Sequence, residues 1–188
     1  MIRKQRSSLT KEIMIFRRLT LGMLLLGLAS CGGEESSTTL AVFTDASSAV
    51  DSGNEAIAAG NYEEAAHAYR YVVDNPPTDK AYVDYTMDLC KALVGAKQET
   101  DAMEALSALA TERGDLLTAD KLQSLADSCL KPGDTSSARM AEHVLNIAKD
   151  VLGETELAKF DANKVEQAMK ALQSGDTAKL AELGYVGD

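Results

Sequence analysis

The residues best equipped for chemistry in this chain are its thiols. Three cysteines stand at 31, 90 and 129 in a chain of 188 residues. Cys31 follows Leu28-Ala29-Ser30, so a nucleophilic sulfur sits behind two small residues that leave the backbone open to a protease. Cys90 shares a helical face with Tyr82, Thr86, Leu89 and Leu93, and Cys129 one with Leu122, Leu125 and Ala126. Two readings stay open for Cys90 and Cys129. They are small core residues, or they form a disulfide in an oxidising compartment. Packed helix axes stand about 8–10 Å apart, whereas a bridge needs Cα atoms within about 7 Å. No CxxC pair offers a redox centre.

His67 and His143 lie off the apolar stripes of their helices and have no Cys or His partner at metal-ligand spacing, so both read as exposed surface residues. His143 beside Glu142 has the residue types of a general base pair, but no nucleophile stands in a recognisable context. No phosphate loop, G-x-S-x-G, HExxH or EF-hand loop occurs. The acids fall mostly at helix starts and on polar faces, where they solvate the chain, and a paired-carboxylate site is the alternative. The expectation is a protein that is not an enzyme and uses no metal or cofactor.

Lys and Arg number 19 against 29 Asp and Glu, a net charge of −10. That balance argues against nucleic acid, which calls for clustered bases. Apolar residues make up 45%, enough for a packed core, while aromatics at 5% and only 3 Pro favour helix over a β-sandwich.

The elements that position Cys31 come before it. Arg17 and Arg18 precede an apolar run from Leu19 to Ser30, the layout of a secretory signal. At 12 residues the run falls short of the roughly 20 that span hydrocarbon. Leu28-Ala29-Ser30-Cys31 resembles the bacterial lipobox. The resemblance implies cleavage between Ser30 and Cys31, diacylation of the Cys31 sulfur, and acylation of the new amine. Residues 1–30 are then a lipoprotein signal peptide. Met14 offers a second start, which makes 1–13 an overextended one.

Removing 1–30 takes away six bases and one acid, leaving 13 bases against 28 acids and a net −15. Membrane attachment then rests on the acyl chains, at about 0.8 kcal/mol per buried CH₂. Among lipoproteins of this type an Asp after the Cys commonly signals inner-membrane retention. Gly32 stands there instead, which implies the outer membrane with either face open. Residues 31–44, opening Gly-Gly-Glu-Glu-Ser-Ser-Thr-Thr after the Cys, read as a flexible tether.

From 45 to 188 the hydrophobic period is helical. The spacing predicts helices near 45–59, 61–74, 79–95, 99–113, 115–131, 135–152, 161–174 and 176–183. Tyr62, Ala65, Ala66, Tyr69, Val72 and Val73 form one stripe, Asn61 with Glu64 suggests a capping box, and Asn75-Pro76-Pro77 ends the helix. Gly60-Asn61-Tyr62, Ala65, Tyr69 and Pro77 resemble the second helix of a tetratricopeptide repeat, with Gly53 where that family keeps a small residue for close helix crossing. Ala102, Leu106 and Leu109 repeat the spacing of Ala65, Tyr69 and Val72 after 37 residues, and Gly133-Asp134 and Gly175-Asp176 repeat the turn. Ala49, Ser52 and Ala56 stand where the family has an aromatic and a Leu. The implied fold is all-α, with about four antiparallel helical hairpins in a short α-solenoid. A non-repeat helical bundle is the alternative.

In the resembled family the first helices line a groove for peptides or partner helices, which implies Val50, Asn54, Ile57 and Ala58 as lining residues here. The expected function is an envelope scaffold or adaptor that binds a protein or peptide, and the negative charge suits a basic or apolar partner. Alternatives are a lipoprotein binding a glycan or small molecule, and, more remotely, a cell-wall-processing enzyme.

Overall fold

The computed structural model describes residues 41–131, 134–135 and 137–185. The signal segment, Ser30, Cys31 and most of the tether lie outside the described residues. The described residues belong to one compact unit. They form helices joined by turns, and among them there is no strand.

Local chemistry sets the helix ends. Helix α1 (Ala46–Ala59) begins where the Asp45 carboxylate accepts from the Ser48 N–H at 2.9 Å. It stops at Gly60, whose φ of 76° is the left-handed conformation that glycine adopts without a Cβ penalty. Helix α2 (Tyr62–Asp74) follows. The expected capping box at its start does not form. Asn61 makes no side-chain cap, and its N–H, which Glu64 would have to receive, already donates to Ala56 O at 2.8 Å. Helix α3 (Asp79–Gly95) is capped by the Thr78 hydroxyl, and α4 (Glu99–Arg113) comes after a turn at Lys97.

The expected helix over 115–131 is shorter. A 3₁₀ turn spans Gly114–Leu116, and α5 (Ala119–Cys129) starts only after Thr118, whose hydroxyl accepts from the Lys121 N–H. A Thr in extended conformation is a better helix start than Asp115 because it satisfies an otherwise orphan N–H. Helix α6 (Ala138–Val151) is followed by a single turn, α7 (Glu154–Leu157), which the sequence reading lacks. Helices α8 (Ala162–Ser174) and α9 (Thr177–Glu182) complete the chain, capped by Asp161 and Asp176.

Packing is between neighbours. Helix α1 packs on α2, α2 on α3, α3 on α4, α5 on α6 and α8 on α9. Across successive pairs α3 meets α5, α4 meets α6, and α6 meets α8. The seams are filled by Ala65, Tyr69 and Val72, then Leu93, Leu106 and Leu109, then Leu122, Leu125, Val144 and Val165, all buried. Each buried Leu or Val contributes about 1.5–3 kcal/mol. Gly53 and Gly95 let rings lie on helix backbone. A Cβ would meet Tyr69 at 2.9 Å in the first case and Tyr62 at 2.4 Å in the second.

Several polar contacts between pairs stand 36–38 residues apart. Lys121 pairs with Asp84, Lys97 with Asp134, and Ala119 N–H with Glu156, each 37 residues apart. His143 meets Ser107 at a separation of 36, and Asp161 N–H donates to Gln123 at 38. The last residues of the expected tether, 41–44, come close to α2. The Phe43 ring lies 5.7 Å from both His67 and Tyr71.

Candidate functional site

A groove of about 590 Å³ opens where α1 ends, α2 begins, and α3 and α5 end. Its apolar lining is Ile57, Val94 and Tyr62, the last lying against Gly95. Its charged lining is three ammonium groups, Lys91, Lys97 and Lys131, against the single carboxylate of Asp134. Ser128 and Ser137 complete it, and the buried Ser137 hydroxyl is committed to the Cys129 carbonyl. Lys97 pairs with Asp134 and Lys91 with Asp88, while Lys131 makes no ion pair among the described residues. With Asp88 counted, the groove holds three cations against two carboxylates, a slight local excess of positive charge on a chain whose net charge is −10. Net charge sums the whole surface, and a site feels only what lies within about one Debye length, roughly 8–10 Å.

The helix register explains the convergence. Lys91, Val94 and Gly95 lie one turn apart on α3, while Ser128 stands in the last turn of α5 and Lys131 just beyond its end. Further along the same two helices the lining changes sign. Asp84, Asp88 and Asp120 surround a hollow of about 360 Å³ with Lys91 and Lys121.

Of the four residues expected to line a groove, Ile57 does. Val50 is half-buried on α1. Asn54 accepts a hydrogen bond from the Tyr69 hydroxyl at 2.8 Å, which commits it to the α1–α2 seam. Ala58 is exposed, and neither it nor Val50 nor Asn54 lines the groove. The lysines were missed because they are spread over 41 positions of sequence. One signal was present. Lys97-Gln98 stands 37 residues after Gly60-Asn61, at the interval already apparent in the buried alanines.

The histidines depart from expectation. Neither is a free surface group. His67 Nε2 donates to the Ala41 carbonyl at 2.8 Å, tying the chain before α1 to α2. His143 Nε2 lies 2.9 Å from Ser107 Oγ and 3.2 Å from the Met103 carbonyl, linking α6 to α4. A carbonyl oxygen only accepts, so Nε2 carries the proton. Ser107 in turn donates to Met103 O at 2.8 Å. The imidazole thus presents a donor to the serine, the reverse of what a general base does, and the pair is a helix clamp.

Cys90 and Cys129 are both free and buried, so the disulfide reading gives way to the core reading. Cys90 Sγ points at the Ala102 carbonyl, 3.5 Å away. Burial pushes each thiol up to about 12, far from a reactive thiolate. No group of three metal-binding side chains occurs among the described residues, and no helix among them is long and apolar enough to cross a membrane.

No protein-family model, no curated protein and no solved structure matches this chain.

Proposed function

We propose that the chain is a lipid-anchored cell-envelope scaffold whose helical hairpins hold a protein or peptide partner in the groove between α1, α3 and α5. The observation that carries this reading is the groove itself. It joins an apolar floor to charged walls, sits where first helices of successive pairs converge, and is accompanied by no activated nucleophile among the described residues. Binding sites generally combine apolar surface with a few placed polar groups.

The tetratricopeptide-like reading belongs to this proposal. It is supported by the Gly53–Tyr69 crossing, by hydrogen bonds at the 37-residue interval, and by left-handed helix ends at both Gly60 and Lys97. So does the anchor, which rests on Leu28-Ala29-Ser30-Cys31 and directs the mature chain to the outer membrane. Cross-linking in living cells followed by mass spectrometry tests the scaffold, the expected result being a reproducible protein partner linked through α1, α3 or α5. Cys31→Ala tests the anchor and is expected to release the protein from membranes. Retention of that variant would refute acylation.

A groove of about 590 Å³ also lies in the range of small-ligand sites, roughly 300–1,000 Å³. A glycan-binding lipoprotein is therefore the second reading. A reproducible glycan-array signal with no cross-linked protein would favour it.

A further inference from the structure

Lys97 occupies a backbone position that the same fold elsewhere gives to glycine. Three helix ends share its geometry. At Gly60, Gly175 and Gly184 φ is 76°, 70° and 89°, and each end closes with two successive N–H groups donating back into the helix. Lys97 does the same at φ 61°, its N–H bonding to Val94 O and that of Gln98 to Leu93 O. It is the only residue other than glycine with positive φ among the described residues. A side chain in this conformation is strained, because Cβ crowds the following carbonyl. Strain held at one position directs attention to what that side chain does.

What it does is bring an ammonium group into the groove. Lys97 lines it with Lys91 and Lys131, beside the apolar Ile57, Val94 and Tyr62. Its pairing with Asp134 is open on one side only, the Lys97 side chain being 62% accessible and that of Asp134 23%. The ammonium carries three donors, so an incoming carboxylate can join Asp134 on Lys97 without displacing it. Lys131 has no pairing to give up among the described residues.

We propose that this groove recognises an acidic–apolar peptide segment of the partner, in which an apolar side chain is set on Ile57, Val94 and Tyr62 while flanking carboxylates engage Lys97 and Lys131. This deepens the scaffold reading and rests on it. The partner's chemistry is thereby opposite to what the net charge of the chain suggests. The acidic remainder of the surface repels wrong registers of such a segment, leaving the groove as the place where it docks.

Fluorescence anisotropy with a labelled peptide alternating Glu and Leu, beside a Lys and Leu counterpart, tests the proposal on the soluble Cys31→Ala chain. The Glu peptide is expected to bind, the Lys peptide to bind at least tenfold more weakly, and salt to weaken the former. Lys97→Gly separates function from structure. It is expected to raise Tm by relieving the left-handed strain, yet to weaken the Glu peptide severalfold. Lys131→Glu is expected to weaken it at least tenfold with Tm unchanged. Equal binding of the two peptides would overturn the proposal, as would wild-type affinity in both variants. A Lys97→Gly variant that loses Tm and keeps affinity would reduce Lys97 to a structural partner of Asp134. If the peptide fails while cross-linked partners persist in Lys131→Glu cells, the acidic ligand falls and the scaffold stands. If cross-linking finds no partner at all, the scaffold itself falls.

Discussion

A Cβ placed on Gly53 would stand 2.9 Å from both Cε1 and Cζ of Tyr69. The ring packs against α1 because that position carries no side chain, and its hydroxyl then reaches Asn54. Tyr69 is only 3% exposed, so it has nowhere to retreat. This contact of ring on backbone closes the first helical pair together with the buried Ala56, Ala65 and Val72.

Gly53→Ala is therefore expected to destabilise, although Ala is the better helix former by about 1 kcal/mol. Overpacking costs about 1–3 kcal/mol, and the difference should appear as a lower midpoint in urea. In a Tyr69→Leu background the same change should become neutral or stabilising, because the obstructing ring is gone. A stabilising effect in the wild-type background would refute the contact.

Ala65 is completely buried in the seam around Tyr69 and Val72. Ala65→Glu forces a carboxylate into that seam with no partner, and the loss expected is about 3 kcal/mol or more. Circular dichroism should show a large drop in Tm or an unfolded chain. An unchanged Tm would refute this packing.

Alkali should unfold the protein through its thiols. Burial raises Cys90 and Cys129 from 9.0 to about 12, so the folded state holds these protons more tightly than the unfolded chain. The resulting stability is complete below pH 9.0 and is lost as pH rises toward 12. Tyr82, raised from 10.0 to about 12 by desolvation and by Glu112, adds to the loss above pH 10.0. Thermal melts are expected to fall over this window. The slope should flatten in the double variant Cys90→Ala, Cys129→Ala, whatever its stability at neutral pH. An equal slope would remove the thiols from the account.

Ser107 should not react with a fluorophosphonate probe, because its proton is given to Met103 O and its neighbour His143 is a donor. His143→Ala should cost about 1 kcal/mol, the worth of a hydrogen bond between helices. Labelling of Ser107 that disappears in His143→Ala would restore an enzymatic reading of the pair.

Helix positions were largely legible in the sequence. The bounds of α1 to α4 follow from Gly60, Pro76 and the apolar stripes, which are local signals. The start of α5 was misplaced because Asp115, which falls in the 3₁₀ turn, is also a cap residue by type, whereas Thr118 is the one that caps the helix. The single turn α7 is too short to show a period. His143 read as exposed because its partners lie on another helix, 36 and 40 residues away. Little of the groove was legible. Ile57 follows from helix position, whereas the lysines belong together only once α3 and α5 are stacked.

The links between Asp84 and Lys121, Lys97 and Asp134, and Ala119 and Glu156 all span 37 residues, which has a bearing on how such a chain changes length. The two members of each link are complementary, not alike, so a copied 37-residue segment would set Asp84 against a second Asp and Lys97 against a second Lys. An insertion or deletion between two partners therefore severs this wiring whatever its size.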